Sequence, residues 1–269
     1  MGEASSGPGG REMYVNYLPV PSRVRAFLRL GVPVVLSLVS LVASGVAAPM
    51  QHPGDGVWNE QEVAIEGYLH AEPWPVLWVD AGDDEAGGVS GRSVILVDFG
   101  KIGASRAVMR AGAGEARVRV HGTVIEREGR RVLELAPRAG AIEVLDRPES
   151  VGSTGGAAAG WTVSLGPTIT IEGEIVDPKC YLGAMRPGVG EVHRACARVC
   201  ISGGIPPGLI APAPAGGERF FLLLDEQGHP PGDAVLAFVG RPVRMTGRVE
   251  RWNDLDVLRI DPATIAILE

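Results

Sequence analysis

Four side chains in the second half of this 269-residue chain have the chemistry of metal ligands: Cys180, His193, Cys196 and Cys200. They include all three cysteines, and their spacing is C-x12-H-x2-C-x3-C. Three thiolates and an imidazole make a four-donor set that suits zinc, copper(I) or an iron–sulfur centre. The spacing fits neither a standard zinc finger nor the C-x-x-C-H haem attachment sequence, so the expectation rests on donor count and geometry. His193, Cys196 and Cys200 stand at i, i+3 and i+7 and would share one face of a helix. The ends of that triplet would lie about 10.5 Å apart along the axis, near the limit for meeting at one ion. Ser202-Gly203-Gly204-Ile205-Pro206-Pro207 is a strong stop signal. It places Cys200 in a last helical turn, with Cys180 returning from the loop ahead.

Competing readings exist for the same residues. In an oxidising compartment Cys180 would pair with Cys196 or Cys200 and leave one thiol over, or the thiols would be inert. Asp177 either orients His193 or caps the turn begun by Pro178. Met185 offers a thioether to copper or simply fills a gap.

The elements that must hold these side chains are strands. Beyond residue 55 there is no long helical stripe, only short apolar or alternating runs separated by turn residues, and 38 glycines with 21 prolines favour turns over helices. The runs recur. Val63-Ala64-Ile65-Glu66-Gly67 matches Ile169-Thr170-Ile171-Glu172-Gly173. Ser93–Asp98 matches Phe220–Asp225, Val118–Val124 matches Val243–Val249, and Arg131–Leu135 matches Asp256–Ile260. The order, strand, strand, then a V-x-V-x-G-x-V hairpin, suits a small β-barrel, because closing a sheet removes its edges. It resembles OB-fold domains of the bacterial tRNA-anticodon-binding-like kind, which implies two tandem OB-like barrels in an all-β protein. An ordinary β-sandwich is the alternative. The organisation expected is 1–29 cytoplasmic tail, 30–50 transmembrane anchor, 60–145 first OB-like domain, 146–167 Gly/Ala/Ser-rich linker, and 168–269 second OB-like domain.

The two copies differ in one place. Gly67 to Asp98 spans 31 positions, whereas Gly173 to Asp225 spans 52, and the longer segment carries every cysteine and His193. There, Gly173, Asp177, Cys180, His193, Cys196, Ala197, Cys200, Gly203 and Gly204 form the pattern G-x3-D-x2-C … H-x2-C-A-x2-C … G-G. The pattern resembles that of a group of uncharacterised exported or membrane-anchored bacterial proteins. The resemblance implies membership of a family without a known reaction.

Near the N-terminus, Arg11, Arg23, Arg25 and Arg29 precede an uncharged apolar stretch from Leu30 to Met50. Twenty-one residues at 1.5 Å each reach about 30 Å, enough to cross a bilayer core. Basic residues before the span place the tail in the cytoplasm and the bulk of the chain in the periplasm, as a single-pass inner-membrane protein. A cleaved signal peptide ending near Gly45-Val46-Ala47-Ala48, or a cytosolic protein, is the rival reading.

Net charge −7 and few aromatics argue against a nucleic-acid partner, since such binding rests on phosphate neutralisation and base stacking. Asp80, Asp83, Asp84 and Glu85 lack a calcium-loop pattern and read as a solvated turn. No Ser/His/Asp arrangement, phosphate loop or dinucleotide fingerprint occurs. Two functions remain: an accessory or electron-transfer component holding a metal or redox centre, or a structural adaptor of a membrane complex with a disulfide-stapled insert. Either implies the membrane and a membrane or periplasmic protein as partners, and whether the chain is an enzyme stays open.

Overall fold

The structure, a computed structural model, describes residues 20–50, 56–79, 91–147, 161–214 and 216–268. The acidic run Asp80–Glu85, residues 1–19 of the expected tail and the middle of the Gly/Ala/Ser-rich segment lie outside the described residues. The chain divides into two compact units, Met1–His52 and Pro53–Glu269. In the first, α1 (Ser22–Ala26) passes through a π-turn at Phe27–Gly31 into α2 (Val32–Met50). The widened turn falls where Pro33, lacking an N–H, cannot bond back to residue 29. Val24–Gly45 is long and apolar enough to cross a membrane, as either an anchor or a signal sequence would be.

The second unit is mostly β. Its first sheet contains β1 (Val57–His70), β2 (Val76–Val79), β3 (Arg92–Asp98), β4 (Ile102–Gly103), β5 (Ala116–Arg127), β6 (Arg130–Leu135) and β7 (Ile142–Asp146). Pairing runs β1–β2–β3–β6–β5 and returns to β1, a closed five-stranded barrel in which β3 and β6 are parallel. A short helix, α3 (Ser105–Arg110), lies between β4 and β5.

In the second sheet the strands are β8 (Val163–Val176), β9 (Gly208–Pro212), β10 (Glu218–Asp225), β11 (Pro242–Trp252), β12 (Leu255–Ile260) and β13 (Ala266–Ile267). Helix α4 (Arg194–Ser202) falls between β8 and β9. Pairing runs β8–β9–β10–β12–β11, with β11 also on β8 and a parallel β10–β12 pair. The matched sequence segments occupy matched registers. Gly67 faces Val118 and Gly122 faces Val63, while Gly173 faces Val243 and Gly247 faces Ile169. A Cβ on Gly122 would sit 2.1 Å from the Glu134 carbonyl oxygen, and one on Gly247 2.5 Å from that of Arg259. The glycine of each V-x-V-x-G-x-V run is therefore required by close strand approach.

Each sheet has its own core. Ile65, Leu77, Val94, Leu96, Val118 and Leu133 pack in the first, and Ile175, Leu209, Phe221, Leu223, Val243 and Leu258 in the second. A third cluster of twenty buried residues joins them, drawing Val76, Ile95 and Val132 from one lobe and Ile210, Phe220, Leu222 and Val257 from the other. The Trp74 indole N–H donates across this seam to the Leu223 carbonyl, 3.3 Å away. Strands β3 and β10 are thus buried on both faces, one toward their own lobe and one toward the seam. That is the reason SVILVD and FFLLLD read as unbroken apolar runs where a half-exposed strand would alternate.

Of the stretch 146–167, the described ends belong to strands or pack on them. Asp146 ends β7 and β8 already begins at Val163. Trp161 is buried, stacked on His70 at 4.5 Å between ring centroids and edge-on to Trp252.

Candidate metal centre

The expanded segment builds the site from three pieces. After β8, Asp177 turns the chain: its carbonyl accepts the Tyr181 N–H, and its Oδ1 accepts the Cys180 N–H at 2.8 Å. That places Cys180 at the start of a short π-turn, Cys180–Ala184, and buries it. Cys196 and Cys200 follow on α4, one turn apart on the same face. The helix ends at Ser202, as the Gly-Gly-Ile-Pro-Pro stretch predicts. Gly204 takes a φ of +94°, and the Cys200 carbonyl accepts the Ile205 N–H at 3.1 Å.

All three cysteines are free thiols, and their sulfurs lie within 4.8 Å of one another. Asp177, Cys180 and His193 form a second group within the same limit, so Cys180 belongs to both. His193 precedes the first residue of α4 and turns its Nε2 toward Asp177 Oδ2, 3.3 Å away, both side chains being buried. The tight groups therefore do not bring His193 together with Cys196 or Cys200. The axial rise of the helix separates His193 from Cys200, seven residues on, and the contact with Asp177 turns the ring away from Cys196. Asp177 makes both contacts expected of it as alternatives: its Oδ1 caps the turn begun by Pro178 and its Oδ2 faces His193. Met185 is half exposed beyond the π-turn and belongs to neither group.

One residue of the site comes from the first lobe and was missed. Lys101, in the turn between β3 and β4, stands beside Cys196, and its pKa is raised by hydrogen bonding and attraction to that sulfur. The turn is clamped on the end of α4. Gly103 N–H donates to the Gly203 carbonyl at 3.0 Å, and a Cβ on Gly203 would sit 2.0 Å from the Lys101 carbonyl oxygen. The only sequence signal was the short Phe99-Gly100-Lys101-Ile102-Gly103 turn, which carries no donor pattern.

Gly203→Ala is expected to force this turn away from α4, an overpacking change worth about 1–3 kcal/mol. Iodoacetamide should then modify Cys196 several-fold faster in chelator-treated protein. Equal alkylation rates in variant and parent would show that the clamp does not shield the thiol.

Charge within the site is uneven. Cys180 donates to Cys200, is buried and sits beside Asp177, which together hold its pKa far above the ordinary thiol range. Cys200 accepts that hydrogen bond with Lys101 and Cys196 nearby, and its pKa falls although burial and Asp177 oppose this. A sulfur that gives up its proton more readily than an ordinary thiol, with two others within reach, is the starting condition for soft-metal ligation.

Glu174 borders the site. Burial raises its pKa, against the Gly190 N–H donated to its Oε1 at 2.6 Å. A carboxyl whose folded pKa exceeds its unfolded one contributes most below the unfolded value, and the contribution is lost as pH rises through the folded value. Glu174→Gln, which keeps an acceptor for Gly190, should therefore raise the melting temperature slightly at pH 7. The gain should vanish below about pH 4, where the native residue is itself protonated. A series of thermal melts against pH checks this.

The elements and the site define a mostly β chain with an apolar N-terminal helix and a group of cysteines, aspartate and histidine close enough to hold a metal. Compared with protein-family models, with curated proteins and with solved structures, the chain matches none.

Proposed function

We propose that this chain is a membrane-tethered, periplasm-facing protein that holds one soft metal ion. Cys180, Cys196 and Cys200 act as thiolate ligands, and His193, already within reach of Cys180, moves toward the other two sulfurs as the ion binds and completes the set as the nitrogen ligand, with Asp177 orienting its ring. The observation that carries the reading is the convergence of three free sulfurs, from two separate chain segments, within 4.8 Å. Three thiolates favour zinc or copper(I) over hard cations, and the burial of Cys180, Cys200, Asp177 and His193 shields such an ion from water. A copper ion there would serve electron transfer, whereas zinc, which has no redox chemistry, would lock the insert structurally. The matched strand orders and registers support reading the two lobes as tandem OB-like barrels derived by duplication, one kept as scaffold. Arginines ahead of the apolar helix support the orientation with both lobes in the periplasm.

The test is elemental analysis of full-length protein purified in detergent without chelator, with a free-thiol count before and after chelation. About one zinc or copper per chain, and three thiols titratable only after chelation, is the expected result. No metal and a single titratable thiol would leave a disulfide-stapled adaptor in its place.

A further inference from the structure

The three sulfurs of the metal centre are not equally reachable. Cys180 and Cys200 are 5% and 1% exposed, whereas Cys196 is half-buried. It lies on the outer side of α4, between Ala195 and Val199, which are exposed. Lys101 hydrogen-bonds to the Cys196 sulfur from the first lobe, and its charge favours an oxygen anion departing beside it. A small electrophile entering from solvent meets Cys196 first.

Geometry also selects the sulfur that answers. All three lie within 4.8 Å of one another. Cys196 and Cys200, however, stand one turn apart on α4, where Cβ atoms are about 5–6 Å apart. A disulfide needs a Cβ separation of about 3.5–4.5 Å, so that pair closes only by distorting the helix. Cys180 belongs to a separate segment, the π-turn Cys180–Ala184, and no helix fixes its distance to Cys196.

We infer that Cys196 and Cys180 form a reversible redox pair, closed to a disulfide by a hydroperoxide, with Cys200 left as the free thiol. In the first step the Cys196 sulfur attacks one oxygen of hydrogen peroxide. The S–O bond forms, the O–O bond breaks, and hydroxide leaves as water, giving a sulfenic acid. The Cys180 sulfur then attacks the Cys196 sulfur. The S–S bond forms, the S–O bond breaks, and a second water leaves. Two thiols give up two electrons and two protons, and the peroxide becomes two waters. With an ion bound, the protons come from solvent, and the ion, stripped of two sulfur ligands, is released. That release rests on the metal reading above; the disulfide does not.

The test treats full-length protein in detergent, reduced and loaded with zinc, with one equivalent of hydrogen peroxide. Trypsin cuts after Lys179, Arg194 and Arg198, so each cysteine leaves on its own peptide. Mass spectrometry should find the Cys180 and Cys196 peptides joined, with zinc released to a chromogenic chelator and both thiols restored by dithiothreitol. Metal-free Cys196→Ala, its fold checked by circular dichroism, should lose its remaining thiols several-fold more slowly than metal-free parent. Joined Cys180 and Cys196 peptides from protein that held no zinc would sustain the redox pair and defeat the metal centre. Zinc-loaded protein in which no peptides are joined, or in which Cys200 is in the bond, overturns the redox pair and leaves the metal centre standing. Equal thiol loss in Cys196→Ala and parent also overturns it.

Discussion

Cys180→Ser should empty the metal centre. Bound metal is expected to fall from about one per chain to below about a tenth of that after dialysis. Loss of an outer-sphere partner alone typically costs 10–100-fold in affinity, and a direct ligand costs more. Cys180 is the position to choose because its sulfur belongs to both tight groups of donors, whereas Cys196 and His193 each belong to one. Cys196→Ser and Cys200→Ser should also lose the ion. Asp177→Asn should retain it with weaker affinity, since Asp177 touches His193 and the Cys180 amide and stands one step from the sulfurs. Under a disulfide the pattern differs: one of Cys196 and Cys200 would be the unpaired thiol, and its serine variant would match the parent in stability. Metal content and melting temperature across the four variants separate these outcomes.

Lys179→Met is expected to be the most destabilising single change, at about 3–5 kcal/mol. Lys179 Nζ lies 3.0 Å from Glu134 Oε2, with side chains 7% and 4% exposed, and it also donates to the Gly100 carbonyl. That Oε2 has the ammonium as its one partner, without hydrogen-bond alignment, while Oε1 accepts the Gly100 N–H at 3.2 Å. Removing the cation leaves a carboxylate buried between the lobes with nothing to balance it. Neutralising both partners removes the cause, so Lys179→Met combined with Glu134→Gln should recover most of the loss. For a folded unit of this size the single variant should melt roughly 10 °C lower. A double variant no more stable than the single one would show that the pair acts through packing and not through charge. Because Glu134 sits on β6 and Lys179 follows β8, the same measurement reports on how firmly the lobes are joined.

Local features of this chain were legible without coordinates because local rules produce them. The repeated Ile-Glu-Gly and V-x-V-x-G-x-V runs mark the strands and the glycines that strand closure demands. The Gly203-Gly204-Ile205-Pro206-Pro207 stretch ends α4 where backbone geometry says it must. The three cysteines fall together because an i, i+4 pair on one helix and a return from the preceding turn are short-range constraints.

Tertiary packing decided the rest. It turned His193 toward Asp177, the buried carboxylate at the end of β8, while the rise of α4 carries its N-cap residue away from Cys200 in the last turn. It brought Lys101 to Cys196 from about 95 residues away in sequence, and set Glu134 against Lys179, contacts that no periodicity encodes. It also buried the outer faces of β3 and β10 against each other, making one unit of what a Gly-rich stretch suggested were two. The sequence determines which faces are apolar, since that depends on side-chain order along a strand. Which apolar face meets which depends on the whole chain removing the most surface from water at once, and that is settled only when the chain is folded.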